Sequence, residues 1–299
     1  MFGGRLTAQR EGFLMLVGTG VIWGTIGVAA KLTYQRTTLD AVSLTWLRAV
    51  IASPVCLLLA WRALGRRLFA TTRRDLAVIA ALGVVMIVYQ YLYLEAINRV
   101  GVSVATLVSL CTPPVIVALA SAVLFGERLT TRTLLALGGV MAGTGLLVGW
   151  QRQVGGSGSA RVGLLLALGS ACGIATHVLV SRSLANRQHP LRPLAISFPV
   201  GAIAFIPAVA GRGLSLDQPL SGWLLVIYLG VGPSAIAYWL LLRGLRDVPA
   251  TTASIVTLLE PLVAGVLAWL MFGERLGAVG WLGAALLLGA IALLSIGPG

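Results

Sequence analysis

One acidic residue lies near the centre of a long apolar segment. Glu260 is part of Leu259-Glu260-Pro261, inside an apolar run over about residues 249–272. A charged carboxylate at membrane depth costs on the order of 3 kcal/mol, so it must be protonated, paired or in contact with water. Two functional interpretations follow: a proton-coupling site, or an anchor for a substrate ammonium group. A structural interpretation stays open, in which the carboxylate caps freed backbone groups or pairs with Arg48.

Aromatic residues lie away from the ends of their apolar runs. Tyr89 and Tyr93 are one helical turn apart, so they share a face. Trp23 is midway along an earlier run, and Tyr238 and Trp239 occupy a later one. A cavity lined by such rings suits an amphipathic or aromatic substrate and can hold an ammonium over a ring face. The alternative for each ring is plain core packing.

Polar residues complete the candidate site. His177 is one of two histidines, and Ser254 and Thr257 lie on the helical turns before Glu260. Each can line a cavity, or can simply bond to backbone of its own or a neighbouring helix. The predicted substrate-binding residues are Trp23, Tyr89, Tyr93, His177, Tyr238, Trp239, Ser254, Thr257 and Glu260.

Prolines and a glycine mark candidate hinges. Pro114 and Pro261 lie near the middle of apolar runs, where each removes a backbone donor and frees a carbonyl. Such a break is tolerated at membrane depth only where protein or a watery cavity satisfies it. Pro114, Gly232, Pro233 and Pro261 are therefore predicted to act in hinge motion or gating, with a packing kink as the alternative.

The elements that position these residues must be membrane helices. The chain is 58% hydrophobic and 10% charged, whereas soluble domains average about 25% charged residues. Apolar runs long enough to span a membrane are predicted at about 13–33, 41–61, 76–97, 103–125, 132–150, 162–183, 193–211, 221–243, 249–272 and 278–297. The predicted fold is thus an all-α integral membrane protein with ten transmembrane helices.

The two halves of the chain repeat each other. Phe-Gly-Glu-Arg-Leu at residues 125–129 recurs at 272–276, an offset of 147. Five spans per repeat is an odd number, so the second copy must cross the membrane in the opposite orientation. We expect a first five-span repeat over 1–152, a Gly/Ser linker over 153–160, and an inverted second repeat over 161–299. Inverted repeats are typical of secondary transporters, whose substrate site lies between the halves near the midplane.

The basic residues predict the orientation. The net charge is +13, but these residues are scattered through short loops, which argues against nucleic acid as a partner. With a cytoplasmic N-terminus, 14 of the 22 basic residues lie inside and 7 outside, as the positive-inside rule favours. Both termini are therefore predicted to lie in the cytoplasm. The near-absence of Lys beside many Arg suggests a high-GC bacterial genome, which favours a bacterial inner membrane.

These motifs resemble the EamA-type drug/metabolite transporter superfamily. Phe-Gly-Glu-Arg-Leu in both halves, the Gly-rich last helices and Leu259-Glu260-Pro261 carry the resemblance, which covers essentially the whole chain. Within that superfamily the sequence looks most like the YddG-type exporters of aromatic amino acids. The resemblance implies export of small metabolites by alternating access. The first half has Thr112-Pro113-Pro114 where the second has Leu259-Glu260-Pro261, so only one half carries this carboxylate.

Other function classes have less support from the residues. A membrane-embedded enzyme of the prenyl- or phosphoryl-transfer type needs clustered carboxylates for Mg²⁺, and no such cluster or motif occurs within the predicted spans. No Walker sequence for ATP is present, and no cofactor or metal is expected. A passive channel and a multidrug exporter of the same fold stay as alternatives. The expected partners are a small-molecule substrate, amino acids foremost, and membrane lipid, and a monomer can suffice.

Overall fold

A computed structural model describes residues 2–125, 131–153, 158–185, 188–244 and 259–295, and within these ranges the chain is helical and contains no strand. The linker residues 154–157 and the candidate residues Ser254 and Thr257 lie outside them. The helices are α1 Phe2–Gly24, α2 Ile26–Arg36, α3 Ala41–Leu64, α4 Arg73–Val100, α5 Val102–Cys111, α6 Pro113–Phe125, α7 Thr131–Gln153, α8 Gly158–Ala185, α9 Leu191–Ala204, α10 Ile206–Ala210, α11 Leu220–Val231, α12 Ala237–Gly244, α13 Leu259–Phe272 and α14 Ala278–Ser295, with a 3₁₀ turn at Gly65–Phe69 and a π-helical segment at Gly232–Ile236.

Within the described ranges, seven helical stretches are long and apolar enough to cross a membrane. They are Arg10–Arg36, Ala41–Phe69, Arg73–Val100, Val102–Ala120, Gly158–Ser181, Leu191–Ala210 and Leu220–Leu241. Three shorter apolar stretches, Leu134–Leu146, Leu259–Phe272 and Ala278–Ala290, fall where the other three spans are predicted. Large apolar side chains such as Leu165, Val123 and Leu220 are exposed on the outside of the bundle, as expected for a surface that faces lipid. The chain is therefore a multi-pass helical membrane protein.

Spans in both halves of the chain are interrupted near their middle, one of them by the π-helical segment Gly232–Ile236. α5 ends at Cys111 and α6 begins at Pro113, so the helix break predicted before Pro114 is present. α1 ends at Gly24 and α2 begins at Ile26. In this second break, the Thr25 hydroxyl bonds to the Ile22 carbonyl oxygen at 2.6 Å.

Small residues bring the helices into close contact. A Cβ on Gly173 would lie 2.5 Å from Cβ of Tyr89, and one on Gly169 would lie 3.2 Å from Leu92. α8 therefore packs closely along α4, as two glycines four residues apart permit between membrane helices. In the same way α7 packs against α14, because a Cβ on Gly143 would lie 2.7 Å from the carbonyl oxygen of Gly283. The largest buried cluster, which includes Leu44, Leu94, Val108, Ala167 and Leu229, fills the bundle between the helices of both halves.

Polar contacts join the two halves at each end of the bundle. At one end, called the Lys31 end, Gln218 bonds to Thr38 and Arg212 pairs with Asp40 at 3.1 Å. The Asp40 carboxylate also accepts a hydrogen bond from the Ser43 amide. Although burial raises its pKa, these bonds hold the pKa of Asp40 below its usual value.

The opposite end is called the Arg192 end. There Gln188 donates to Asp75 at 2.7 Å, and Arg192 donates to the carbonyl oxygens of Leu68 and Arg67. The loops that join spans in one half are thus tied to loops of the other half on both faces of the membrane bundle.

Candidate functional site

A cavity of about 330 Å³ opens among α4, α8, α9 and α12. Its walls are Met86, His177, Ser181, Leu184, Gln188, Pro190, Pro193, Leu194, Ser197, Tyr238 and Leu241. Tyr238 lies within the bundle, whereas Gln188 and Pro190 belong to the loop at the Arg192 end. The cavity therefore extends from the interior of the bundle toward the Arg192 end, and its walls are mainly apolar.

Five rings form an aromatic cluster, of which His177 and Tyr238 line this cavity. The five are Trp23, Tyr89, His177, Phe198 and Tyr238. Tyr238 lies edge-on to Trp23 at 5.1 Å between ring centroids and to Phe198 at 6.5 Å. Tyr89 meets His177 at 5.9 Å, and Tyr89 and Tyr238 also interact through their side chains. Edge-to-face geometry of this kind stabilises ring pairs beyond their buried area. Four residues predicted from four separate apolar runs, Trp23, Tyr89, His177 and Tyr238, are thus brought together.

The position of Tyr238 depends on a local break in the helical path. Residues Gly232–Ile236 form a π-helical turn between α11 and α12, at the predicted hinge residues Gly232 and Pro233. Pro233 has no amide hydrogen to offer the Leu229 carbonyl, and the Ser234 hydroxyl bonds to that oxygen instead at 2.9 Å. π-helical turns often occur at functional sites.

A side chain of the first half stabilises this turn. The indole nitrogen of Trp23 donates to the Pro233 carbonyl oxygen at 2.9 Å, and the Cys56 thiol lies 3.6 Å from the Ser234 carbonyl oxygen. The polar edge of Trp23 is therefore engaged with the turn, while its ring faces Tyr238. The turn, α1 and α3 are coupled by these bonds.

Two ionisable side chains, Arg48 and Glu260, act on the same tyrosines and are together called the charged centre. Arg48 is 4% exposed, lies in α3 and is within electrostatic range of Tyr89, Tyr93 and Tyr238. Glu260, at the start of α13, acts on the same three tyrosines. Its carbonyl oxygen lies 2.9 Å from where a Cβ on Gly24 would be, so this segment packs against the helix that carries Trp23.

Arg48 and Glu260 form no ion pair with each other in the described part of the chain. Within the part of the chain that the structure describes, no ion pair joins Arg48 to Glu260 and no residue donates a hydrogen bond to the Glu260 carboxylate. The Nε atom of Arg48 is buried without a hydrogen-bond partner. The structural interpretation that Glu260 pairs with Arg48 therefore finds no support in this conformation.

The remaining predicted residues of the described chain lie outside the aromatic cluster. Tyr93 is buried, and its hydroxyl shares a hydrogen bond with the Thr106 hydroxyl at 2.8 Å. Trp239 is 40% exposed and is not among the residues that line the cavity. Pro261 is buried in the first turn of α13, and Pro114 lies at the break between α5 and α6.

Arg48 and Phe198 were not among the sequence candidates for the site. A lone arginine inside an apolar run is a signal that could have found Arg48, because intramembrane ionisable residues are rare and usually functional. Phe198 offers no comparable signal, since an aromatic residue in an apolar helix is most often core. Only the packing of α9 against α12 shows that this ring contacts Tyr238.

A second carboxylate, Glu274, has a complete set of partners at the Lys31 end. It receives the Lys31 ammonium at 2.7 Å, the amides of Val102 and Ser103 at 3.0 Å each, and the Ser103 hydroxyl at 2.9 Å. This carboxylate caps α5 of the first half, because the amides of its first two residues donate to it. Gly101 has φ +82°, and a Cβ there would lie 2.9 Å from the Glu274 carboxylate, so glycine permits this approach.

The partners of Glu274 set its protonation state. Burial raises the pKa of this carboxyl, but the hydrogen bonds from Lys31, Ser103 and Val102 outweigh burial and hold the pKa below its usual value. The Lys31 ammonium also lies 4.4 Å from the centroid of the Phe272 ring. The helix N-terminus of α5 adds its own attraction for a negative charge.

Comparison with known proteins agrees with this architecture. The model of the EamA-like transporter family matches residues 10–149 and again residues 161–296. Over 95% of the chain it is 28% identical to the uncharacterized transporter YwfM of Bacillus subtilis, 94% of which is covered. It is 25% identical, over 97% of the chain, to the uncharacterized inner membrane transporter YicL of Salmonella typhimurium, with 96% of that protein covered.

A solved structure extends the comparison to the fold. A protein crystal structure with 22% sequence identity superimposes with a TM-score of 0.66, covering 96% of each chain. At this identity the likeness concerns the fold alone. The two family matches together span most of the sequence, and they fall on its two halves. The chain therefore belongs to the EamA-like transporter family.

Proposed function

We propose that this protein exports amino acids with aromatic and other apolar side chains, together with related small metabolites, across the bacterial inner membrane. The observation that carries the proposal is the position of Tyr238. This residue lines the cavity, contacts two further rings and interacts with both members of the charged centre. An apolar amino acid has groups suited to both, because its apolar side chain lies beside an ammonium group and a carboxylate group.

In this proposal the aromatic cluster binds the side chain of the substrate, and the charged centre binds its charged groups. The rings of Trp23, Tyr89 and Tyr238 provide apolar and π surface for the substrate side chain. A cavity of about 330 Å³ is at the lower end of the ~300–1,000 Å³ common for small-molecule sites. Glu260 is the acid within reach of these rings, and we assign it the substrate ammonium group.

Transport follows from alternating access between the two halves. In this proposal residues 1–152 and 161–299 are inverted five-span repeats joined by the linker 153–160, and the substrate site lies between them. The helix breaks at Pro114 and at Gly232–Pro233, together with Pro261 in the first turn of α13, provide the positions at which spans bend. The cavity opens toward the Arg192 end, which is the cytoplasmic face in the proposed orientation, so this conformation is the one that loads substrate for export.

Uptake into proteoliposomes tests the substrate. We expect tryptophan, phenylalanine and leucine to be taken up, and sugars not to be. An empty-liposome control and counterflow with unlabelled phenylalanine separate carrier transport from leak. Carrier transport of organic cations or sugars, with no amino acid transported, would contradict the amino-acid proposal and leave a transporter of other substrates.

A multidrug exporter of the same fold is the second candidate. One observation favours it: Glu260 beside aromatic rings is also suited to an organic cation. The same panel decides between them, because an exporter of cations transports amines that have no carboxylate group. A passive channel would show no saturation and no counterflow.

The role of Glu260 separates binding from proton coupling. If the carboxylate anchors the ammonium group, Glu260→Gln weakens amino-acid binding at every pH. If it supplies a proton for exchange, Glu260→Gln abolishes dependence on a pH gradient and leaves counterflow intact. We favour the binding role, since the first half has Thr112 and Pro113 where the second has Leu259 and Glu260. A pH-gradient dependence that disappears in the Gln variant would contradict it.

Labelling of single cysteines tests the proposed inversion. Substitution of Cys56, Cys111 and Cys172 by Ser or Ala gives the background, and Glu127→Cys and Glu274→Cys give the probes. We expect position 127 to react from the cytoplasmic side and position 274 from the outside. Reaction of both from one face would contradict the inverted repeat.

A further inference from the structure

Arg48 is a buried cation without a counter-ion among the described residues. It lies about two helical turns inside α3, is 4% exposed, and its Nε atom has no hydrogen-bond partner. The ion pairs of the described chain join Lys31, Arg99 and Arg212 to carboxylates, and none includes Arg48. By contrast Arg192, another buried arginine, donates to two backbone carbonyl oxygens and to Gln188.

A guanidinium cannot escape this burial by losing its proton. Arginine stays charged in proteins, whereas a buried carboxylic acid can become neutral. An unpaired charge in an apolar interior is strongly unfavourable unless it meets an opposite charge with good hydrogen-bond geometry. The side chain is therefore suited to an anion that is present only in part of the transport cycle.

The surroundings of Arg48 place that anion at the proposed substrate site. The groups that act most on the guanidinium are the hydroxyl-bearing rings of Tyr34, Tyr89, Tyr93 and Tyr238. Three of these rings also interact with Glu260, and Tyr238 lines the cavity. The carbonyl oxygen of Arg48 lies 3.3 Å from where a Cβ on Gly230 would be, so this part of α3 packs just before the π-helical turn that positions Tyr238.

We propose that Arg48 binds the carboxylate group of the substrate and thereby makes a carboxylate a requirement for transport. The assignment rests on the proposed amino-acid export and deepens it. The planar guanidinium matches a carboxylate with two parallel hydrogen bonds. Glu260 then takes the ammonium group of the same molecule, and decarboxylated amines or amides are poor substrates because they leave the arginine unpaired.

Four probes that differ in single groups test this assignment. They are L-phenylalanine, L-phenylalaninamide, phenethylamine and 3-phenylpropionate. For the wild type we expect phenylalanine transport, with phenylalaninamide and phenethylamine competing at least tenfold more weakly. In Arg48→Gln we expect phenylalanine affinity to fall roughly 10- to 100-fold, as for loss of a hydrogen-bonded charge partner, and the preference for the acid over the amide to disappear.

Matched variants separate recognition from folding. Arg99→Gln removes an arginine that is exposed and paired with Glu95, and we expect its transport and acid preference to match the wild type. Arg48→Lys keeps the charge but not the bidentate geometry, so we expect it to retain part of the preference. If Arg48→Gln fails to fold, the wild-type preference and Arg48→Lys decide the question.

Ligand-induced thermal shifts distinguish failure of this assignment from failure of the proposed function. If the wild type transports no amino acid, the proposed function is wrong, and a stabilisation by 3-phenylpropionate that is lost in Arg48→Gln would still support the carboxylate site. If the wild type transports phenylalaninamide as well as phenylalanine, or Arg48→Gln keeps the acid preference, the assignment is overturned while amino-acid export stands.

Discussion

Two glutamates lie at opposite ends of α13 and have opposite surroundings. Glu274, just beyond the end of the helix, is bound by one ammonium group, two backbone amides and one hydroxyl. Glu260, at its start, receives no hydrogen bond from any described residue, although three tyrosines lie within electrostatic range. The Glu274 carboxylate is thus fully hydrogen-bonded within the protein, whereas the Glu260 carboxyl has no donor among the described residues and can bind a ligand.

The two glutamates therefore have different expected roles, Glu274 in structure and Glu260 in transport. A carboxylate that already has four donors contributes stability and has no capacity for a ligand. A carboxylate in a similar apolar setting without donors is unfavourable for the empty protein, and such residues in membranes are typically functional. We therefore expect substitution at Glu274 to affect stability and substitution at Glu260 to affect transport.

Glu274→Gln should give the largest effect on stability. The amide loses the ion pair with Lys31 and presents a donor to the amide of Val102 or Ser103, so we expect a loss of about 3 kcal/mol, as for charged hydrogen bonds that lose one partner. Thermal unfolding of purified protein in detergent measures it. Substrate affinity of the folded fraction should match the wild type, and a variant as stable as the wild type would contradict the structural role.

Glu260→Gln should show the reverse pattern. We expect unchanged thermal stability, because the Glu260 carboxyl accepts no hydrogen bond from a described residue that the amide would lose, and an apparent affinity for phenylalanine lower by about tenfold, or about 1.4 kcal/mol. Concentration-dependent uptake and thermal unfolding on the same preparation measure both. Normal transport with reduced stability would assign Glu260 a structural role and remove the contrast with Glu274.

Lys31→Met sharpens the contrast by removing one of the four donors to Glu274. The ammonium is partly exposed, and pairs of this kind typically contribute up to about 1 kcal/mol, so we expect a smaller loss of stability than for Glu274→Gln. The amides of Val102 and Ser103 still cap the carboxylate. A loss as large as that of Glu274→Gln would show that the ion pair, rather than the helix cap, holds this end together.

The pH dependence of stability should follow Glu274. Its pKa is below the usual value when folded, so the folded state binds the proton less readily than the unfolded state. Its contribution is then complete above the ordinary carboxyl pKa of about 4.3 and is lost as pH falls through the folded pKa. We expect the stability difference between wild type and Glu274→Gln to be constant from pH 6 to 8 and to shrink below about pH 4.3. A difference that grew on acidification would contradict this.

Several features of the fold follow from composition and spacing alone. The apolar runs predict membrane helices, and seven of them coincide with described helical stretches long and apolar enough to cross a membrane, while the other three overlap shorter apolar helices. The break before Pro114 is predicted because proline removes a backbone donor, which is a local effect. The close packing at Gly173 is predicted because a missing side chain is likewise a local property.

The site required contacts between residues distant along the chain. Trp23 and Tyr238 are separated by more than 200 residues, yet their rings meet at 5.1 Å. Trp239 is adjacent to Tyr238 and is largely turned away from the cavity. In a helix that is apolar all round, periodicity does not distinguish the lipid face from the protein face.

Glu260, Glu274 and Arg48 show which properties follow from the sequence and which depend on tertiary contacts. The sequence alone predicted that Glu260 is an acid inside an apolar run, because residue type and hydropathy are local. Only the packing of α13 against α2 and α5 determined that Glu274 meets Lys31 and the amides of Val102 and Ser103. Only the burial of α3 left Arg48 without an ion-pair partner among the described residues, because the energy of a charge depends on every group that surrounds it in space.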